Sequence, residues 1–269
     1  MKTLWVGIDE AGLGPVLGPL CLSAVSSLEF QEAGEQRDSK SLYGGKNLKR
    51  LVVALESHLG TINETYLRNR LVDDPSLEEP WFGGDEQGVC HLLGSQEGRE
   101  AWSLSIGVRP LNDSFARTEN KSATQIEYLG TLIHQILKDR GEQRVEFLVD
   151  RLGGRKRYAQ VLEGWGFRVQ SKRESPQSSS YGCEYLDRQL FFRFEVKADA
   201  SYPVVALASC LSKLRREWAM EAFNHWWQNH CKGIRPTAGY WEDGLRFLSE
   251  IEKIRGESKI DLLNLKRQK

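Results

Sequence analysis

Apolar and polar residues alternate at the start of the chain: Leu4, Val6 and Ile8 are separated by less apolar positions, the alternation that predicts a strand. That strand runs out into two adjacent acids, Asp9 and Glu10, and a Gly/Pro-rich turn separates it from a second predicted strand over 20–25. So short a connection leaves no room for a crossover and requires the two strands to pair antiparallel. The spacing then changes. Leu48, Leu51, Val52 and Leu55 recur at helical intervals and predict a helix from Lys46 to His58, preceded by Asp38-Ser39-Lys40-Ser41-Leu42. Residues from about 60 to 102 sustain neither period and are broken by Pro75, Pro80, Gly83, Gly84, Gly88, Gly94 and Gly98, so an insertion is expected there. Ser103 to Val108 reads as a short strand, and Ala123 to Leu137 as an amphipathic helix turning Ile126, Leu129, Leu132, Ile133 and Ile136 to a core.

In the second half, Val145 to Val149 is a compact strand-type run that ends in Asp150, followed by Arg151-Leu152-Gly153-Gly154 and a helix beginning near Arg155. Lys172 to Gln189 is polar, Ser-rich and broken by Pro176 and Gly182, so a loop or small excursion is expected, with a strand resuming over Leu190 to Val196. Lys197-Ala198-Asp199-Ala200-Ser201-Tyr202-Pro203 then enters a long helix whose aromatic continuation, Trp218 to Trp227, is expected to pack in the core rather than stack on bases. Pro236 to Trp241 breaks it, and Leu245, Phe247, Leu248 and Ile251 mark a last helix. Strands interleaved with helices give the α/β class. The expected organisation is a domain over 1–217, with insertions at about 60–102 and 172–189, and a helical extension over 218–269 packed on it.

Composition narrows this only a little. At 269 residues, 40% hydrophobic and 28% charged, the chain is ordinary for a soluble globular protein. No apolar run approaches the roughly 20 residues that cross a bilayer, and no basic leader precedes the first strand, so a cytoplasmic protein without membrane contact is expected. The cysteines at 21, 90, 183, 210 and 231 are scattered and odd in number, which predicts reduced thiols; Cys90-His91 and His230-Cys231 lack zinc-site spacing. Formal net charge is zero, yet the charge is segregated. Asp73, Asp74, Glu78, Glu79, Asp85 and Glu86 form an acidic block, while basic residues gather at Lys46, Lys49 and Arg50, at Arg151, Arg155, Lys156 and Arg157, at Lys172 and Arg173, and at Lys213, Arg215 and Arg216. A neutral total can hide a basic face, although each cluster alone reads as a solvated surface.

The chemistry enters with the acids. Asp9, Glu10, Asp150 and Asp199 fall at the ends of predicted strands or just before a helix, where α/β sheets form their sites, although helix capping accounts for many such acids. Carboxylates about 4 Å apart repel by about 4 kcal/mol at an effective dielectric near 20, so their convergence implies bound cations or shifted pKa values. All-oxygen ligands favour Mg²⁺ or Mn²⁺, and Mg²⁺ completes its shell with substrate phosphate, which points to phosphodiester chemistry. Lys40 would hold a phosphate as a point charge; Ser209 and Lys213, one helical turn apart, would reach one phosphate together, the alternatives being a helix cap and a solvated helix edge. The glycines at 12, 14 and 18 are spaced one residue too widely for a dinucleotide loop, and neither a P-loop nor a nucleophile elbow is present.

Five blocks, GIDEAGLGPVLGPL at 7–20, DSKSL at 38–42, FLVDRLGG at 147–154, VKADASYPVVALASCLSKLRRE at 196–217 and AGYWEDGLRFL at 238–248, together resemble type 2 ribonuclease H, closest in wording to its archaeal and eukaryotic branch. The resemblance implies a ribonuclease H-like fold, a mixed five-stranded sheet with three antiparallel strands and flanking helices. It also implies a monomeric, metal-dependent endonuclease that cuts the RNA strand of RNA/DNA hybrids to leave 5′-phosphate and 3′-hydroxyl ends. Asp9, Glu10, Asp150 and Asp199 match the family's catalytic and metal-binding acids, which hold two Mg²⁺ or Mn²⁺ ions, and Gly12, Leu13, Gly14, Lys40, Ser209, Lys213 and Tyr240 match its substrate contacts. The family's Gly-Arg-Gly is Gly12-Leu13-Gly14 here, so weakened specificity for single embedded ribonucleotides is expected, and Glu217 replaces an Asp. The alternative is a nucleic-acid-binding paralogue with altered or lost catalysis.

Overall fold

β1 (Thr3–Ala11) lies within a mixed sheet in the computed structural model, which describes residues 2–30, 47–60, 62–71, 89–257 and 260–268. β2 (Leu20–Ser27) returns antiparallel to it across the Gly/Pro turn, as the short connection requires. β4 (Glu100–Ile106) pairs antiparallel with β2. On the other flank β5 (Arg144–Asp150) runs parallel to β1, and β8 (Arg188–Glu195) parallel to β5. These inner strands reproduce the expected mixture, but the described sheet is wider than five strands: it has eight, in the order β3-β4-β2-β1-β5-β8-β7-β6. β3 (Cys90–Leu93) borders β4, while β7 (Ser178–Tyr185) and β6 (Arg168–Glu174) extend the far edge as antiparallel neighbours.

The expected loop over 172–189 is therefore a β-hairpin. Tyr181 and Cys183 of β7 are its inward apolar side chains beside buried Ser179, and Ser178, Ser180 and Gly182 occupy the alternate face, so its hydropathy reads as polar. Pro176 sits in the turn between β6 and β7, where a missing N–H costs no ladder bond. In the expected insertion the acidic block lies outside the described residues, and the described parts include α2 (Glu64–Leu71), β3 and the start of β4. The helix expected from Lys46 is α1 (Leu48–Leu59), capped by the Asn47 side chain accepting from Lys49 N–H at 3.1 Å. α3 (Val108–Thr118) was not expected; it carries Pro110 in its first turn, a position that tolerates proline.

α4 (Lys121–Asp139) and the short α5 (Ala159–Gly164) cover one face of the sheet, where Leu129, Leu132, Ile133 and Ile136 of α4 meet Leu4, Val6, Ile8, Phe147 and Phe192. After the helical turn α6 (Ala198–Ser201), the long α7 (Pro203–His230) crosses the opposite face and passes residue 217 without interruption. Its later half joins α8 (Trp241–Glu257) and α9 (Leu262–Leu265) around Phe223, Trp227, Phe247 and Ile251, a cluster that also takes in Val16 and Leu17 from the first turn. Trp218, Phe223 and Trp227 are core residues, as expected. All five cysteines are free, and among the described residues no helix is long and apolar enough to cross a membrane.

α7 reaches β1 because Gly7 has no side chain: a Cβ there would lie 2.3 Å from the backbone of Val204 and Val205. Backbone cannot swing aside as a side chain can. Gly7→Ala is expected to destabilise the fold by about 3 kcal/mol, lowering Tm by roughly 6 °C or more in thermal unfolding.

Candidate active site

Parallel pairing of β1 with β5 sets the position of the first acids. The register runs from Thr3 opposite Arg144 to Ile8 opposite Val149, so the next residues along, Asp9 and Asp150, leave the two strands side by side. Alternation sends Asp9 to the α7 face and Glu10 to the α4 face. Asp9 is buried, accepts the Glu10 N–H on Oδ1 at 2.8 Å, and receives a hydrogen bond from Ser209; Ser212 Oγ donates to its backbone carbonyl at 3.0 Å. Asp150 accepts the Ala198 N–H at 2.8 Å. That N–H is aimed by Lys197, a non-glycine residue held in the left-handed region at φ 58°, and Asp199 follows in α6. Asp199 thus sits on a helical turn beyond the strand end rather than at the strand exit itself.

Electrostatics show that the acids share one environment. Burial pushes Asp9 up to about 7, helped by the charges of Asp150 and Asp199 and opposed by Ser209 and the Glu10 N–H. Burial, then Asp9 and Asp150, also raise Glu10 well above the ordinary carboxylate range, and burial together with Asp199 raises Asp150 against the Ala198 hydrogen bond. Glu10 Oε2 is buried with no hydrogen-bond partner. Below it Gln125 is close enough to favour the charged carboxylate, yet its own Nε2 is equally unpartnered.

An unpartnered buried oxygen among hard, mutually repelling donors fits a divalent cation in chemistry and in charge. The geometry is open, however: among the described residues no group of three or more His, Cys, Asp or Glu side chains is arranged to hold an ion as it stands.

The predicted substrate contacts divide. Ser209 is buried against Asp9, and Lys213, one turn further along α7, is half-buried; neither is on a solvated helix edge. Tyr240 is exposed and lies beside the 12–18 loop, because Gly239 O accepts the N–H groups of Val16 at 2.8 Å and Leu17 at 3.1 Å. Gly14 is exposed, with nothing within 4 Å of where a Cβ would stand. Gly12 has φ 91° and no room for a Cβ, which would meet Arg216 and Pro19. Leu13 turns inward into a small pocket with Leu20, Leu111, Phe115 and Arg267. Lys40 lies outside the described residues.

Several residues that shape the site carried no warning in the sequence. Arg215 and Arg216, expected on a solvated surface, are buried; Arg215 donates to Ser103 O, and Arg216 donates to Ala238 O at 2.9 Å while facing the Tyr240 ring at 5.6 Å. Their adjacency to Lys213 reads as one basic cluster because sequence cannot show that a cation is satisfied by carbonyls. Ser212, Gln125 and Arg267 were likewise unmarked. The helical interval from Ser209 to Ser212 was the one available signal.

No family model matches the sequence, and no curated protein matches it significantly. Solved structures do. Ribonuclease HII of Archaeoglobus fulgidus, determined in complex with PCNA, aligns over 99% of this chain and 97% of its own at 18% identity and a TM-score of 0.51. Ribonuclease H2 of Pyrococcus horikoshii OT3 aligns over 97% of this chain and 92% of its own at 17% identity and a TM-score of 0.50. The chain has the type 2 ribonuclease H fold.

Raised carboxylate pKa values fix the sign of a pH dependence. Asp9 binds its proton more tightly when folded than when unfolded, so its contribution to stability is full near pH 4 and is lost as pH rises towards about 7. Asp9→Asn removes one of the repelling charges. In metal-free thermal unfolding at pH 8 this variant is expected to melt about 3 °C or more above wild type, with the difference shrinking towards pH 4.

Proposed function

We propose that the protein is a metal-dependent endonuclease that hydrolyses the RNA strand of RNA/DNA hybrids and leaves 5′-phosphate and 3′-hydroxyl ends. The observation that carries this reading is the meeting of Asp9, Glu10 and Asp150 beside Asp199 within a type 2 ribonuclease H fold, with an unpartnered buried oxygen on Glu10. Asp9, Glu10, Asp150 and Asp199 would hold Mg²⁺ or Mn²⁺. Such an ion supplies an activated water and stabilises the leaving 3′ oxygen.

The chain's own contribution is placement. Ser209 and the Glu10 N–H orient Asp9, and the Ala198 N–H orients Asp150, so neither carboxylate is free to rotate. Lys213 supplies positive charge for the sugar-phosphate backbone one turn from Ser209, with Lys40 as a second cation for it. Tyr240 offers an exposed ring for stacking, and exposed Gly14 lets a ribose or phosphate approach backbone closely.

A second reading, a nucleic-acid-binding paralogue with lost or altered catalysis, draws on the open geometry of the acids. Cleavage assays on RNA/DNA hybrid and double-stranded DNA separate the two. The nuclease reading expects cutting of hybrid alone, dependent on Mg²⁺ or Mn²⁺, with Asp9→Asn slower on the order of a hundredfold or more. It also expects either ion to raise Tm in wild type and not in Asp9→Asn. Hybrid binding without metal-dependent cutting establishes the second reading instead.

Leu13 bears on substrate choice. With a half-buried apolar side chain at this position, the loop offers no guanidinium to the sugar-phosphate at an RNA-to-DNA junction. Wild type is expected to cut a duplex with one embedded ribonucleotide about tenfold or more slowly than continuous hybrid, a loss equal to one charged hydrogen bond. Leu13→Arg should narrow that ratio; an unchanged ratio would show that position 13 does not set it.

A further inference from the structure

Arg267 comes from the far end of the described chain and lies buried under the first loop. Its Nε donates to Gly18 O at 2.8 Å, Nη2 donates to the same carbonyl, and Nη1 donates to Gly12 O. Its backbone N–H donates to Val16 O at 2.9 Å. One planar side chain therefore ties together both ends of the 12–18 loop, at two glycines whose φ values are 91° and 89°. The segment carrying it is fastened to α3: Asn112 Nδ2 donates to Leu263 O at 2.8 Å and Lys266 O at 2.9 Å, and Asn112 Oδ1 accepts from Gln268 N–H at 2.7 Å.

A buried guanidinium without a carboxylate is costly to keep. Among the described residues Arg267 has no acidic partner, and its nearest charged neighbour is a like one, Arg216, whose side chain fills the space beside Gly12. Burial and that neighbour push Arg267 down to about 9, which leaves it protonated at neutral pH. Arg216 is itself ion-paired with Glu217 at 3.6 Å, so Arg267 is the uncompensated cation behind a loop whose outer residue, Gly14, is open. Its field favours an anion on the loop's free side and is relieved by one.

We propose that Arg267 is a positioning residue for the substrate: it fixes the 12–18 loop in the shape that leaves Gly14 open, and it charges that loop for a backbone phosphate of the hybrid. The proposal rests on the hybrid-nuclease reading of the site.

Arg267→Lys and Arg267→Met separate shape from charge, since Lys keeps the charge but cannot fork between two carbonyls. In both variants hydrogen exchange over residues 12–18 is expected to accelerate. The KM for hybrid, and the Kd measured by anisotropy with metal withheld, should rise about tenfold while kcat stays within about threefold of wild type. The salt dependence of binding should weaken by about one unit of slope in Arg267→Met and not in Arg267→Lys. If Arg267→Met does not fold, Asn112→Ala, which loosens the segment from α3 without touching the loop, should raise KM in the same direction. Faster exchange with unchanged KM and Kd overturns the proposal, as does a fall in kcat at constant KM. When wild type binds and cuts hybrid but the variants match it, this proposal alone fails; when wild type neither binds nor cuts, the nuclease reading fails and takes this one with it.

Discussion

The parallel pairing of β1 with β5 is the constraint from which the site follows. It delivers Asp9 and Asp150 to one end of the sheet at adjacent strands, and no side-chain preference within either segment could do so alone. The pairing survives because both strands are apolar on the α4 face, where Val6, Ile8, Phe147 and Val149 lock the register by burial. A slip of one residue would turn this set to the α7 face and send Asp9 to the α4 face. The same pleat that buries the even-numbered residues of β1 therefore decides which acid faces α7 and which faces α4.

Gathering carboxylates opposes folding, and the sign of their pKa shifts shows it. Asp9, Glu10 and Asp150 are all raised, first by burial and then by neighbouring acids, Asp199 among them. Hydrogen bonds from Ser209, the Glu10 N–H and the Ala198 N–H offset only part of this. The apolar layers on both faces of the sheet must carry the remainder, and one close approach among them, α7 on Gly7, lies two residues before Asp9. Tight packing and electrostatic strain are thus neighbours on one strand. Groups arranged this way are least comfortable empty, and a doubly charged ion converts their repulsion into attraction.

Much of this was legible in the sequence, for physical reasons that can be named. Helical spacing exposed α1 and α4 because each has one buried face and one wet face, while β1, β2 and β5 stood out as alternating or continuous apolar runs, β2 being buried along its whole length. The β6–β7 hairpin escaped because its inward positions hold little more than Tyr181 and Cys183, and the serines opposite them look like a loop. α3 escaped because proline in a first turn resembles a breaker. The acids could be named because charged residues at the ends of apolar runs are conspicuous. Their supports could not: Ser212, Gln125, Arg216 and Arg267 act through backbone carbonyls or through empty space, neither of which has a sequence signature.

The glycine loop shows how such supports combine. Residues 12–18 form no regular structure, and a stretch this rich in glycine has little preference for one shape. Its shape is imposed by segments distant along the chain: Gly239 accepts two of its N–H groups, Met220 fills the space beside Gly18, Arg216 lies against Gly12, and Arg267 bridges its ends. All four of these contacts come from α7 and the chain that follows it, so that part of the chain shapes the loop. A loop held from outside can be rigid where it is covered and open where it is not. Gly14 is the open point, and the exposed Tyr240 follows directly on Gly239, which holds the same loop at Val16 and Leu17. Ordering this surface before a ligand arrives lowers the entropy lost on binding, so the cost of burying two arginines is returned as preorganisation.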